Sequence, residues 1–153
     1  MEIKQAPVFQ EQAPKWIRQI VHNGTRDHVS APYPRLGEVV TIRLEVPTEG
    51  QPDQIILRSI PNGEQHLEAM QMIGTRNHMN IWEAGLLINE PKVPYRFAIQ
   101  AEGKIWWLNA AGVSTYVPVA SFDFKLLADN PEIPWLSRSV FYQIFPDRFA
   151  NGD

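Results

Sequence analysis

Two apolar patterns divide this sequence, and the division limits what the chain can fold into. Through most of its length apolar residues recur at every second position, which is the signature of strands with one buried and one wet face. Val40, Ile42, Leu44 and Val46 alternate with Thr41, Arg43 and Glu45, and Pro47 closes the run. Trp82, Ala84, Leu86 and Ile88 form a second such set; Tyr95, Phe97 and Ile99 a third; Phe122, Phe124 and Leu126 a fourth. Shorter runs at 55–60, 67–73 and 105–108 fill the intervals. Turn residues separate them. Pro61-Asn62-Gly63-Glu64 holds the Asn-Gly pair that favours a type I′ turn, and Ala101-Glu102-Gly103-Lys104 divides two further runs. With 13 prolines and 9 glycines punctuating short strands, the expected fold is all-β, a two-sheet sandwich. No strong helix, internal repeat or low-complexity tract stands out. Residues before Trp16 are polar and carry Pro7 and Pro14, so they read as an arm or edge segment.

Near Asp129 the pattern changes. Asp129-Asn130-Pro131-Glu132-Ile133-Pro134-Trp135 is a stiff polar joint, because each proline restrains itself and its predecessor. Beyond it, Ser139-Val140-Phe141-Tyr142-Gln143-Ile144-Phe145 is nearly continuous in apolar character. Such a run fits a strand buried on both faces in a parallel sheet, not a half-wet sandwich strand. The expected organisation is therefore a sandwich over 1–129, a linker over 130–138, and the opening of a different domain over 139–153.

Composition removes several classes of function. At 153 residues the chain can bury roughly 68–70% of its unfolded surface and needs no staple to fold. It has no cysteine, which excludes disulfides, thiol nucleophiles and zinc–thiolate sites, and which sits comfortably with a reducing cytoplasm. The net charge is -3, with basic residues dispersed among acids, so the phosphate backbone of a nucleic acid is not an expected partner. No apolar run approaches the roughly 20 residues needed to cross a bilayer. The start, Met1 to Pro7, lacks the apolar core of an export signal, and the expected location is cytoplasmic. Asn23-Gly24-Thr25 matches a glycosylation sequon but reads as a polar turn with Gly24 at positive φ.

The segment Ser139-Val140-Phe141-Tyr142-Gln143-Ile144-Phe145-Pro146-Asp147-Arg148-Phe149-Ala150-Asn151-Gly152-Asp153 resembles the first barrel strand of family 13 glycoside hydrolases. Neopullulanase, cyclomaltodextrinase, maltogenic amylase and maltodextrin glucosidase are the nearest types. Upstream, Ile20-Val21-His22-Asn23-Gly24, Leu36–Leu44, Pro94-Tyr95-Arg96-Phe97 and Trp107–Ser114 resemble the module that precedes their barrel. That module is carbohydrate-binding module family 34, an immunoglobulin-like β-sandwich. The resemblance implies a sandwich followed by the first strand of a (β/α)8 barrel whose other strands are absent here. It further implies a retaining α-glucan hydrolase as the parent, with its acid and nucleophile about 5–5.5 Å apart on barrel strands outside this chain. The chain itself is then expected to be inert as a hydrolase, with no catalytic residues. Asp147 reads as a structural helper at the end of the first strand.

The same resemblance implies that Asn151 and Asp153 begin a calcium loop in the full-length enzyme. Calcium takes six to eight oxygens, so two side chains alone hold no ion, and no cofactor is expected of the chain itself. For sugar binding or an interface the candidates are Trp106, Trp107 and Trp135, since the apolar C–H faces of sugars pack on aromatic rings. Trp106 and Trp107 are adjacent on a strand, so one enters the core and the other faces outward. Trp135 reads as a plug where the linker meets the barrel, and Trp82 as core. His22, His28, His66 and His78 show no ligand spacing, and Glu45, Glu68 and Glu83 read as solvated surface. The expected partners are the chain's own catalytic barrel, a second copy in a homodimer, and α-glucan oligosaccharides. One role shapes the rim of the active site; the other is independent starch or glycogen binding.

Overall fold

The computed structural model describes residues 13–140. Among the described residues nine strands form two antiparallel sheets that face each other across one core. The strands are β1 (Val39–Pro47), β2 (Gln54–Ser59), β3 (His66–Ala69), β4 (Gln71–Arg76), β5 (Met79–Leu87), β6 (Lys92–Ala101), β7 (Lys104–Asn109), β8 (Gly112–Ser114) and β9 (Phe124–Leu127). The first sheet runs β1-β5-β4; the second runs β3-β2-β6-β7-β8, with β9 beside the first half of β6. Successive strands thus change sheets in the order of an immunoglobulin-like sandwich. The segment before β1 completes the first sheet's edge through bridges from Val21 to Glu45 and from Val29 to Ile42.

Period-two burial explains the register. In β1 the side chains of Val40, Ile42, Leu44 and Val46 are buried, and their partners on β5 are Leu86, Ala84, Trp82 and Asn80. From the other sheet Ile55, Leu57, Tyr95, Phe97, Ile99 and Trp106 close the core. A one-residue slip would turn either set into water. The turns follow their residues as well. Asn62 and Gly63 both have positive φ, as do Glu102 and Gly103, whose two-residue turn joins Ala101 to Lys104. Asn77-His78 makes a third turn of this kind, between Arg76 and Met79, which the sequence did not advertise with a glycine.

Three expectations are corrected. The run 67–73 is two strands in two sheets, β3 and β4, with buried Met70 at the crossing. The fourth alternating set loses its first member: Phe122 ends a 3-10 turn (Ala120–Phe122) and is exposed, because β9 begins only at Phe124. Gly24 is not at positive φ; Asn23 makes the turn instead, its Oδ1 accepting from the Thr25 N–H at 3.0 Å. Of the segment before Trp16, read as an arm or edge, only residues 13–15 are described. Pro14 opens a one-turn helix, α1 (Lys15–Arg18), where a missing N–H costs nothing, and Ala13 and Ile17 are buried. The expected barrel strand lies outside the described residues from 141 onward, as do residues 1–12.

Trp16 also packs on the core and presses on the backbone of Gly50, where a Cβ would collide with the indole. Replacing Gly50 with alanine should therefore destabilise the chain by about 1–3 kcal/mol, read as a lower urea midpoint at unchanged m value.

Candidate functional site

The three candidate tryptophans occupy three environments. Trp106 pairs with Ile99 on the inner side of the second sheet and is 3% exposed, which removes it as a sugar platform or interface residue. Trp107, paired with Ala98 and Ser114, lies half-buried on the outer side. Trp135 is 60% exposed in the segment after β9. Asn151 and Asp153 lie outside the described residues. Trp82 is partly buried and packs on the core. Among the described residues no group of three His, Asp or Glu side chains is placed to hold a metal.

The outer face beside Trp107 carries a feature that alternation alone concealed. Arg96 is buried there, although it belongs to the wet side of β6. Its Nη2 donates to Asp123 Oδ2 at 2.9 Å and its Nη1 to the Pro118 carbonyl at 2.8 Å. Its Nε lies 2.9 Å from Asp123 Oδ1 as an ion contact poorly aligned for a hydrogen bond. This clamp pins the loop between β8 and β9 to the sheet, and the loop holds Tyr116, Val117, Val119 and Phe122 out to solvent. An apolar, aromatic surface results, stiffened from beneath by a buried ion pair.

A second apolar surface forms where the chain leaves the sandwich. The Ala128 N–H donates to the Pro91 carbonyl, the Asp129 N–H to the Pro34 carbonyl, and Asp129 Oδ1 accepts from the Leu36 N–H at 3.3 Å. These bonds fix the exit. A 3-10 turn (Leu136–Arg138) follows, and Ile133, Trp135, Leu136 and Val140 are all exposed.

Between the sheets lies a polar pocket in apolar surroundings. The His22 ring meets Tyr95, Phe97 and Phe124 at centroid distances of 5.7, 4.9 and 4.7 Å. Its Nδ1 lies 2.7 Å from the Arg43 carbonyl, which only accepts, so Nδ1 carries the proton. Nε2 then accepts from the Tyr95 hydroxyl at 2.9 Å. Burial, opposed by the Arg43 carbonyl and helped by neighbouring His28, lowers the His22 pKa to about 4. Burial likewise pushes the Tyr95 phenol up. His28 is buried beside Glu45, 3.4 Å away, and Arg76 reaches the same carboxylate at 3.2 Å. Glu45 is therefore not solvated surface: it meets the buried His28 ring and the Arg76 guanidinium.

No family model matches the chain. It is 30% identical over 90 residues to a cyclomaltodextrinase from Bacillus sp, across 55% of this chain and 16% of that protein. It is 33% identical over 81 residues to the amylopullulanase of Thermoanaerobacter thermohydrosulfuricus, across 47% and 6% respectively. Over part of its length, the chain is a homologue of these family 13 glycoside hydrolases. It spans only a small part of either relative. Among solved structures, a cyclomaltodextrinase superposes with a TM-score of 0.62 at 22% identity, covering 88% of this chain and 24% of that one. The maltogenic amylase from S. marinus gives 0.55 at 19% identity, covering 92% and 19%. These two share the β-sandwich fold. No helix among the described residues is long and apolar enough to cross a membrane.

Two outcomes follow from the buried polar groups. His22 is neutral in the fold down to about pH 4 but titrates near 6.5 when unfolded, so the unfolded chain binds the extra proton between these values. Its contribution is complete above pH 6.5 and lost as the pH falls toward 4, by at most about 3 kcal/mol. Urea titrations across that window should show the slope, and His22→Gln, which keeps a donor for the Arg43 carbonyl, should flatten it. Separately, Asp123→Leu alone should cost about 3–5 kcal/mol, because it strands the buried Arg96 charge, whereas Arg96→Leu with Asp123→Leu should recover most of the loss. A double-mutant cycle measures that coupling.

Proposed function

We propose that this chain is the N-terminal, non-catalytic sandwich of a glycosidase that hydrolyses α-glucans, joined by residues 130–138 to a catalytic barrel that opens over 139–153. The observation that carries this reading is the 30% identity to a cyclomaltodextrinase over 90 residues, supported by the amylopullulanase match. The fixed exit after β9 agrees with it, since Ile133, Trp135, Leu136 and Val140 need a cover that the sandwich does not supply. The catalytic barrel is the partner we assign to this surface, with Trp135 as its anchor.

The role follows from position. A rigid module at the barrel's entrance narrows the approach of a polymer and favours short maltodextrins, cyclodextrins or pullulan segments. The Trp107 face, with Tyr116, Val117, Val119 and Phe122, is the surface we assign to a second subunit, because a stable interface centres on aromatic and aliphatic anchors. In the full-length enzyme Asn151 and Asp153 supply hard oxygens of the kind calcium takes, and further ligands come from outside this chain.

The purified chain should release no reducing sugar from maltoheptaose, β-cyclodextrin or pullulan; hydrolysis by it would sink the assignment. Ending the chain at Asp129 should leave its melting temperature unchanged and raise its solubility by removing the apolar exit segment. A large drop in melting temperature would instead make residues 130–153 part of the sandwich.

A further inference from the structure

Three Asn-Gly pairs occur in the sequence, at 23–24, 62–63 and 151–152, and the first two lie among the described residues. An asparagine side-chain amide is open to attack by the backbone nitrogen of the next residue, and glycine, lacking a Cβ, hinders that attack least. We propose that Asn23 is a self-modifying site, converted in the folded chain to aspartate and isoaspartate through a succinimide formed with the Gly24 nitrogen. Water is the only co-reactant. The inference does not rest on the function proposed above.

The fold arranges the reacting groups. Asn23 Oδ1 accepts from the Thr25 N–H at 3.0 Å, which folds the side-chain carbonyl back over the peptide it must react with. The Thr25 hydroxyl donates to the same oxygen at 2.5 Å. Two donors thus sit on the atom that gathers negative charge when the amide carbon becomes tetrahedral. Thr25 is itself fixed, because its carbonyl accepts from the His28 and Val29 N–H groups at 3.0 and 2.9 Å. Asn23, Gly24 and Thr25 are exposed to hydroxide and water, and nothing lies within 4 Å of where a Gly24 Cβ would stand. Asn62 is the contrast. Its ψ of 29° turns the Gly63 nitrogen away from the side-chain carbonyl. Its N–H donates to Glu90 Oε1, and the Glu64 N–H donates to the Pro61 carbonyl at 2.9 Å, so that turn is tied shut.

The steps balance. Hydroxide takes the Gly24 amide proton, the nitrogen bonds to Asn23 Cγ, and the tetrahedral carbon expels Nδ2 as ammonia, which takes its third proton from water. Water then opens the imide. Breaking the new N–Cγ bond gives aspartate, and breaking the original peptide bond gives isoaspartate, whose backbone runs through Cβ and Cγ. The one added backbone atom falls in a span tied to β1 at both ends, by the Val21–Glu45 and Val29–Ile42 bridges. It also adjoins His22, whose ring nitrogens are committed to the Arg43 carbonyl and the Tyr95 hydroxyl.

The test is incubation of the 153-residue chain at mildly alkaline pH, folded and in concentrated urea. Peptide mass spectrometry follows amide-to-acid conversion, and labelling by an isoaspartate methyltransferase marks the rearranged product. In the folded chain Asn23 should convert at least about tenfold faster than Asn62, and urea should bring the two to similar rates. Thr25→Val, which keeps the backbone donor and removes the hydroxyl, should slow Asn23 by about threefold to tenfold in the folded chain and not in urea. Thr25→Ser should restore the rate. The separated isoaspartate form should melt about 2–4 °C below the unmodified chain. Equal conversion of Asn23 and Asn62 in the folded chain, or a Thr25→Val rate no lower than that of the unaltered chain, would overturn the proposal. Equal melting temperatures would overturn the effect assigned to the added backbone atom.

Discussion

Everything in this sandwich leans on strand β6. It carries the pairings that join β2 on one side to β7 and β9 on the other, and it is buried on both faces. Inward, Tyr95, Phe97 and Ile99 fill the space between sheets. Outward, Arg96 and Ala98 are buried as well, and the guanidinium is satisfied there by Asp123 and the Pro118 carbonyl. A half-exposed strand needs one satisfied face; this one needs two. The outer loop, the His22 pocket and the exit through β9 are all organised around that demand.

The second sheet therefore has a dry side and a conditionally dry side. His22 shows the same economy on the inner face, where one imidazole spends both nitrogens on the Arg43 carbonyl and the Tyr95 hydroxyl amid aromatic rings. A polar group survives there because its valences are complete, and protonation would break that completeness. The two buried polar groups thus tie three distant parts of the chain, near residues 22, 43 and 123, to β6.

The strand framework was legible because period-two alternation is a direct imprint of burial: β1, β5 and the inner half of β6 declare themselves residue by residue. Turns holding Asn-Gly or Glu-Gly were equally open to reading. What escaped was non-local. Nothing in the 67–73 run marks Met70 as a crossing between sheets, since both halves alternate alike. Arg96 looks like an ordinary wet-face residue until Asp123, 27 positions later, is brought beside it. Glu45 reads as surface until His28 and Arg76 converge on it. Trp106 and Trp107 could be assigned to opposite faces but not sorted between them, because strand pairing decides which face is the core.

The attachment of β9 has a mechanical meaning. Its four residues pair with Lys92–Tyr95, the same strand that bears the arginine clamp and the tyrosine that holds His22. Whatever is joined beyond Leu127 is thus wired to the middle of the sandwich instead of its rim. A pull on the chain beyond Leu127 loads four cross-strand pairs and, through them, a strand buried on both faces. It acts there as a bracket bolted through the sheet, not as a pendant on a string.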